Sequence, residues 1–354
     1  MAEISCVQEG QMSELRVAVV GLGYFSQFHR AAWAKQAGVR LVAVCDRDAA
    51  RAEEVGAEMG VSSYGDFAVM LAAETPDIVD IVAPPVAHEE LVTAALGRVK
   101  LIICQKPFCP SITEAEALTA KAEAAGTPVI IHENFRFQPW YRDIKDFLDS
   151  GRMGQVWQAR FTLRPGDGRG PDAYLSRQPT FQKMPRLLIY ETAVHLFDVF
   201  RWLFGPIEGI YADLRRHNPV IAGEDAAIVA MIHEGGTRST FDGNRLSDQV
   251  ADDPRRTMGP MEIEGEGGLL VLDGEGVVRF RPFGETSLAP IPDQRTPDLT
   301  TFAGGCVAAL IAHAVEAMAG QRPFENTARD YLTIMRLCEA AYQSDREGRR
   351  VQMT

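Results

Sequence analysis

The chain has 354 residues, 46% of them hydrophobic, so it can bury a large core and is long enough for two domains. Its 36 Lys and Arg residues against 48 Asp and Glu residues give a net charge of -12, which disfavours nucleic acid as a partner. The first residues lack a signal-peptide pattern, and no apolar run approaches the roughly 18 residues of a membrane helix. We therefore expect a cytoplasmic protein without a membrane partner.

The N-terminal segment and the cysteines carry little functional signal. Met12 opens the segment before the first apolar run, which predicts an alternative start or a flexible extension over residues 1–13. Six cysteines are scattered without a Cys-x-x-Cys pair, which favours reduced thiols, and we expect no metal site. They are Cys6, Cys45, Cys104, Cys109, Cys306 and Cys338.

From Leu15 onward, short runs rich in Val and Ile alternate with helical stretches such as AARAEEVGAEMG and ITEAEALTAKAEAAG. This alternation is typical of a parallel sheet wound with crossover helices. The pattern predicts an α/β fold, with a doubly wound parallel sheet of the Rossmann type over residues 14–135. The five strand candidates are LRVAVV from Leu15, RLVAVC from Arg40, DIVDIVA from Asp77, KLIIC from Lys100 and PVIIH from Pro128.

The pattern changes after Trp140, where Gly-punctuated strands follow a helix, YRDIKDFLDS. The pattern predicts antiparallel strands from Ile207 to about Phe283 and two amphipathic helices that close the chain. These features predict an α+β domain over residues 136–354 for substrate binding and oligomerisation. Whether its final helices pack back on the first domain is left open by the sequence.

Gly21 and Gly23 directly follow the first strand and precede a predicted helix over Phe25 to Gln36. Backbone amides at such a helix N-terminus can meet the pyrophosphate of a dinucleotide. Asp46 ends the next strand, where a carboxylate would accept hydrogen bonds from the adenosine ribose. Together these features predict a dinucleotide site.

Residues beside this turn refine the cofactor prediction. Ser26 replaces the third glycine of the usual motif, so we expect a slightly wider approach of helix to strand. Asp46 should repel a 2′-phosphate, whereas Arg47 could attract one. We therefore expect NAD and keep NADP as the alternative. Tyr24, Phe25, Gln105 and Lys106 are further predicted cofactor contacts.

Gln105, Lys106 and Pro107 follow the strand KLIIC, and loops at the carboxyl ends of parallel strands bind ligands. The Lys106 ammonium could hydrogen-bond to a substrate oxygen and help the hydroxyl lose its proton as hydride leaves. The alternative is an ordinary solvated loop lysine.

The segment YETAVHLFDVFRWLFG predicts a helix over Glu191 to Phe204, with Glu191 and His195 four residues apart on one face. A carboxylate there would orient the imidazole and raise its basicity, as a general base for alcohol oxidation requires. The alternative is a surface ion pair, although the apolar neighbours favour burial.

A long polar segment rich in Gly and Pro runs from Arg164 to Pro185. Long loops in compact domains are often functional, and the alternative is an exposed flexible connection. Its polar candidates for substrate contact are Arg164, Asp167, Tyr174, Arg177 and Lys183.

Several motifs in order resemble the Gfo/Idh/MocA oxidoreductases, and most of all their D-apiose dehydrogenase branch. They are GLGYFSQFH, Asp46, APPVAHEEL, QKPF, HENFRF and E-x-x-x-H-x-x-D-x-x-R-W-L-F-G. The resemblance implies a Rossmann domain joined to a domain with a large open, mainly antiparallel sheet. It further implies NAD- or NADP-dependent oxidation or reduction of sugars and polyols, and a homo-oligomer, a dimer or tetramer, built on the exposed sheet face.

The resemblance also implies roles for individual residues. Lys106 corresponds to the lysine of the family's E-K-P motif and would polarise the hydroxyl, and His195 would accept its proton. Glu191 corresponds to the first position of the D-x-x-x-H motif. Two motifs are altered here, because Gln105 stands in place of Glu and Glu191 in place of Asp.

By the same resemblance, Pro84 and His88 would line the cofactor cleft, whereas Asn134 and Arg136 would face the nicotinamide and the substrate. His88 could instead have only a packing role. Arg136 could instead form a salt bridge between the domains. Arg177 is added as a candidate substrate contact from the long loop.

These observations predict an NAD-dependent dehydrogenase of a carbohydrate, with D-apiose or a similar pentose as a candidate. One alternative is a sensor that binds NAD without catalysis. Another is an NADP-dependent ketosugar or imine reductase of the same family.

Overall fold

The computed structural model describes residues 14–353, and its first sheet consists of six parallel strands. The strands lie in the order β3-β2-β1-β4-β5-β6, so the sheet grows in opposite directions from β1. Ligands bind at the carboxyl ends of strands where such a reversal occurs. The strands are β1 Leu15–Val20, β2 Val39–Cys45, β3 Ser62–Tyr64, β4 Ile78–Ile81, β5 Leu101–Gln105 and β6 Val129–His132.

The sequence prediction missed one of these strands, β3. Its three residues are polar or half-buried, and Ser62 pairs with Ala43 at the edge of the sheet. A strand this short without an apolar run has no periodic pattern to recognise. The other five strands follow the predicted runs, and the doubly wound parallel sheet is confirmed.

Five helices connect the strands of this sheet. The starts of α2, α3 and α5 are capped by the side chains of Asp48, Asp66 and Ser111, each of which accepts a hydrogen bond from a first-turn amide. The helices are α1 Ser26–Trp33, α2 Ala49–Met59, α3 Phe67–Glu74, α4 His88–Ala95 and α5 Ile112–Ala124.

The second sheet has nine strands in the order β14-β13-β12-β11-β7-β10-β9-β8-β15. All neighbouring pairs are antiparallel except β7 and β10, so the predicted large, mainly antiparallel sheet is confirmed. The strands are β7 Val156–Leu163, β8 Ile207–Arg215, β9 Ala226–His233, β10 Arg238–Asn244, β11 Met261–Gly265, β12 Gly268–Leu272, β13 Val278–Pro282, β14 Ala289–Pro290 and β15 Val351–Gln352.

Four further helices pack around this sheet and between the two sheets. They are α6 Pro139–Asp149, α7 Val194–Phe204, α8 Cys306–Met318 and α9 Ala328–Glu347. Helix α8 lies against α1 and shares a core with the first sheet, whereas α9 contacts both α5 and β8. Helix α9 therefore connects the two sheets, whereas α8 packs on the side of the first sheet. The domain boundary at residue 135 stays a prediction.

The long loop from Arg164 to Pro185 is anchored to the second half of the chain. Tyr174 and Phe181 are buried in a small apolar cluster, and the Asn218 side-chain amide donates to the carbonyls of Gly168 and Gly170 at 2.7 and 2.9 Å. Because its side chains and carbonyls are held in this way, the loop is not a free connection.

Several expectations concern features that do not position the site. Within residues 14–353, five cysteines are buried and unbridged, and no cluster of His, Cys, Asp and Glu is arranged to hold a metal ion. No helix in this range combines the length and apolarity needed to span a membrane. The predicted extension over residues 1–13, with Cys6 and Met12, lies outside the described residues.

Candidate active site

A cavity of about 600 Å³ opens at the carboxyl ends of the first-sheet strands. One wall follows strands β1, β2, β4, β5 and β6, and the other comes from the second half of the chain. The predicted residues that line it are Gly21, Gly23, Tyr24, Phe25, Asp46, Arg47, Pro84, Gln105, Lys106, Asn134, Arg177, Glu191 and His195. The fold thus brings residues distant in sequence to one place.

The turn after β1 requires glycine at its first position. Gly21 has φ +88°, and a Cβ there would lie 2.6 Å from the Val82 carbonyl oxygen. Around Gly23 the space is open. Among the described residues, the amides of Gly23, Tyr24 and Phe25 donate no hydrogen bond, so they are available to phosphate oxygens.

Ser26 occupies the third glycine position of the motif without a polar penalty. Its side chain is fully buried, and its hydroxyl donates to the Gly23 carbonyl at 2.7 Å. A buried hydroxyl with this partner is satisfied, and the same bond ties the start of α1 to the turn.

Asp46 lies at the cavity with its carboxylate already anchored. It accepts hydrogen bonds from the amides of Leu22 at 2.7 Å and Asp48 at 2.9 Å. A carboxylate has about four acceptor positions, so two remain for a ligand such as a ribose diol. The free amides of the turn and this carboxylate fit the pyrophosphate and ribose of a dinucleotide.

The Gln105 side chain contacts two histidines, His29 and His132. Its Oε1 accepts from the Lys106 amide at 2.9 Å, which fixes its Nε2 as the donor to His29 Nε2 at 3.0 Å. His29 Nδ1 and Trp33 Nε1 both donate to Asp80 at 2.7 Å. An amide can donate to the free imidazole nitrogen where a carboxylate could not, which accounts for glutamine at this position.

Lys106 is partnered by Glu191. Its Nζ donates to the Glu191 carbonyl at 2.7 Å and to Oε1 at 3.0 Å, and the Lys106–Pro107 peptide bond is cis. Burial raises the pKa of Glu191, but the charges of Lys106 and Arg245 outweigh burial and bring its pKa below the usual value. Glu191 is therefore ionised and holds the ammonium group at the cavity.

The prediction that Glu191 orients His195 is wrong in its geometry. Glu191 belongs to a π-helical turn, Ile189–Ala193, that precedes α7. The wider π turn changes the angle between successive residues, so a spacing of four no longer places two side chains on one face. The Glu191 side chain turns to Lys106 and Thr192 instead.

His195 is held by Phe135 and Glu133. Its ring stacks on Phe135 with centroids 4.0 Å apart, and its Nδ1 contacts Glu133 Oε1. Burial, assisted by the charge of Lys106, keeps the pKa of His195 well below its usual range. Burial also raises the pKa of Glu133 to about 7, although Lys106 opposes this rise.

Glu133 contacts His195 in this site, and the sequence did not single it out. It stands inside HENFRF, a motif used for the resemblance, and it directly follows β6. The position was itself a signal, because the carboxyl ends of parallel strands bind ligands. Its partner could not be foreseen, since Glu133 and His195 are 62 residues apart.

Two predicted contacts lie away from the cavity, His88 and Arg136. The His88 ring is buried, with its nitrogens 2.9 Å from the Phe108 carbonyl and 2.8 Å from the Ala83 carbonyl. It therefore ties the loop after β4 to the loop after β5. His88 therefore has the packing role that was its alternative, and it does not line the cofactor cleft.

Arg136 forms a salt bridge, but its partners lie in the same predicted domain rather than across the two domains. Its guanidinium donates to both carboxylate oxygens of Asp198, at 2.7 and 2.5 Å, and lies 3.4 Å from Glu325. A buried arginine needs such a counterion, and Arg136 donates two of its N–H groups to the Asp198 carboxylate. The expectation that Arg136 faces the substrate is corrected accordingly.

Among the loop candidates, Arg177 lines the cavity. It shares the Asp167 carboxylate with Arg245, which is fully buried and also donates to Thr192 at 2.6 Å. Arg245 was not foreseen, because no motif surrounds it. The other candidates, Arg164, Asp167, Tyr174 and Lys183, do not line the cavity.

Comparison with known proteins adds independent findings. Residues 15–133 match the oxidoreductase family with an NAD-binding Rossmann fold, and residues 141–271 match the GFO/IDH/MocA C-terminal domain. A D-apiose dehydrogenase of Paraburkholderia graminis is 32% identical over 340 residues, which cover 95% of this chain and 89% of that protein. A second, of Rhizobium rhizogenes, is 31% identical, with 97% and 98% covered.

A solved structure is similar over almost the whole chain. An oxidoreductase from Agrobacterium radiobacter, in complex with NAD+, L-tartaric acid and magnesium, superposes with a TM-score of 0.87 at 29% identity. The match covers 96% of this chain and 98% of that one.

Proposed function

Because the chain belongs to the Gfo/Idh/MocA family of NAD-binding oxidoreductases, we propose that it oxidises a CH–OH carbon of a sugar or polyol. D-Apiose or a similar pentose is the first candidate substrate. One observation carries the proposal: Lys106 and His195 line the same cavity as the glycine turn and Asp46. A proton acceptor and a cation for the oxygen thus share a cavity with a dinucleotide site.

The residues of the first sheet would hold the cofactor. NAD, when bound, supplies the acceptor for the hydride that leaves the carbon. The free amides of Gly23, Tyr24 and Phe25 would hold its pyrophosphate, and Asp46 would hold the adenosine ribose.

Lys106 would stabilise the charge that develops on the substrate oxygen. An ammonium group has three donors, and Glu191 takes two of them through its carbonyl and its carboxylate. The third remains for a substrate hydroxyl. Because Glu191 fixes the direction of the ammonium group, Lys106 is already oriented when the oxygen begins to lose its proton.

His195 would accept the hydroxyl proton at Nε2. Its Nδ1 is occupied by Glu133, and Nε2 makes no hydrogen bond within residues 14–353. The lowered pKa of His195, caused first by burial and then by Lys106, keeps the ring neutral and able to take a proton.

Support for a pentose comes from the relatives and from the remaining lining groups. Both relatives described above are named D-apiose dehydrogenases. Asn134 and Arg177 line the cavity and provide amide and guanidinium groups that hydrogen-bond to sugar hydroxyls.

A substrate panel tests this proposal. The purified protein is incubated with NAD or NADP and with D-apiose, other aldopentoses, aldohexoses and polyols, and the formation of reduced cofactor is followed by absorbance. We expect turnover of at least one carbohydrate, faster with NAD than with NADP. His195→Asn serves as the control and should be inactive. The absence of turnover with every carbohydrate and both cofactors would contradict the proposal.

A further inference from the structure

We propose that Glu133 is a positioning residue that makes one proton-accepting unit with His195. Glu133 holds the ring as the Nδ1–H tautomer and supplies the negative charge that stabilises the imidazolium formed at Nε2. This inference rests on the proposed function of the cavity, in which His195 is the proton acceptor.

The backbone around Glu133 is braced on both sides. The Asn326 side-chain amide donates to the Glu133 carbonyl at 2.7 Å, and the Ile131 amide donates to the Asn326 carbonyl at 2.8 Å. The carboxyl group contacts His195 Nδ1, and Phe135 stacks on the ring with an interplanar angle of 7°. With the ring plane and Nδ1 both fixed, the direction of Nε2 is fixed as well.

Burying the Glu133 carboxyl group costs free energy that a packing role alone does not explain. Glu133 is fully buried, and its Oε2 has no hydrogen-bond partner within residues 14–353. An unsatisfied buried polar atom costs about 1–3 kcal/mol, and more when charged. Leucine would fill a similar space without that cost, so the acidic group points to a role with His195.

Charged and titratable groups surround the pair from every element packed against it. Lys106 is the cation that acts on both members, and it opposes protonation of each. The other groups are Arg136 after β6, Glu191 in the π-helical turn, Asp198 on α7, His132 on β6, Cys306 on α8, and Tyr331 and Cys338 on α9.

The proton balance sets the direction of the pH dependence. With Glu133 ionised, Nδ1–H donates to it and the Nε2 lone pair is free. In oxidation, the hydroxyl O–H bond breaks as Nε2–H forms, and the C–H hydrogen leaves with two electrons as hydride to NAD. A pair that already carries the extra proton has no free lone pair at Nε2. Burial raises the pKa of Glu133 to about 7, so oxidation should rise with pH through about 7.

Glu133→Gln in the full-length protein separates charge from packing. Glutamine keeps the volume and can still accept from Nδ1–H, but it cannot neutralise the imidazolium. We expect kcat for sugar oxidation to fall about 100-fold or more, with little change in the sugar KM. The acidic limb of the pH profile should move to lower pH, because His195 loses the charge that favours its protonation.

A matched control is Asp143→Asn. Asp143 is also a buried carboxylate, but it pairs with Arg295 at 2.6 Å and does not line the cavity. Its loss should leave the pH profile of oxidation unchanged. A Glu133→Gln variant with the wild-type kcat and the wild-type limb would overturn the proposal.

Nitrogen-15 NMR of labelled histidine gives a readout that does not depend on turnover. The His195 signals are assigned with His195→Asn. With Glu133 ionised we expect Nδ1–H with an unprotonated Nε2, and a titration of the His195–Glu133 pair that moves to lower pH in Glu133→Gln. Identical His195 titrations in both proteins would overturn the role of Glu133. If the wild type oxidises no carbohydrate, the proposed function fails, and this titration still decides the inference.

Discussion

Asp46 reaches the cavity from the end of β2 with its carboxylate held by two backbone amides. Such a group cannot swing away to make room for a 2′-phosphate. Arg47, which also lines the cavity, is the neighbouring cation that could attract one. The balance of these two side chains therefore sets the discrimination between NAD and NADP.

Asp46→Asn should weaken this discrimination. The variant keeps the size of the side chain but loses the charge-assisted hydrogen bonds to the ribose, which are worth about 1.5–3 kcal/mol. We expect the NAD KM to rise about 10-fold or more and the NADP KM to fall, as measured by steady-state kinetics with both cofactors. Asp48→Asn, which keeps a good N-cap on α2, should change neither. An unchanged ratio of the two KM values would refute this role.

The sequence predicts the catalytic candidates themselves but not the side chains with which they pair. Lys106 and His195 could be predicted because each lies in a local motif at a recognisable element end. The predicted carboxylate partner of His195 was wrong, since Glu191 pairs with Lys106 and Glu133 contacts His195. This pairing depends on a π turn and on contacts between distant segments, which residue spacing does not encode.

Among the elements, those with long apolar runs followed the predicted pattern, whereas β3 and the π-helical turn did not. β3 has only three residues, and a π turn has no distinct residue signature. The short 3-10 helix Phe135–Phe137 is tied to α7 by a side-chain contact. Its Arg136 joins Asp198 of α7 and so fixes the position of His195 on that helix.

Arg136→Met should destabilise the protein rather than weaken sugar binding directly. Loss of the guanidinium leaves the buried Asp198 without its counterion, which costs about 3–5 kcal/mol. Urea denaturation measures this change. Arg160→Met removes an exposed pair with Glu262 on the second sheet and should cost about 1 kcal/mol or less. Unchanged stability combined with a raised sugar KM would restore the substrate role of Arg136.

For the whole molecule, the cavity depends on two sheets, both of which are in contact with α9. The outer face of the second sheet includes Tyr211 and Ile228, which are 42% and 55% exposed. This is the face on which the resemblance places a subunit contact. The homo-oligomer stays a prediction.

The central claim is that this cavity catalyses hydride transfer, rather than only sensing NAD. Lys106 separates the two, because it would act on the substrate oxygen and not on the adenosine half of the cofactor. Lys183, a loop lysine that does not line the cavity, provides the matched control.

The most direct measurement compares NAD binding by calorimetry with NADH formation on the best carbohydrate of the panel, for the wild type, Lys106→Met and Lys183→Met. The account predicts that Lys106→Met binds NAD within about 10-fold of the wild type, while kcat falls about 100- to 1000-fold. Lys183→Met should match the wild type in both. Wild-type turnover by Lys106→Met, or NAD binding by a wild type that oxidises no carbohydrate, would contradict the account.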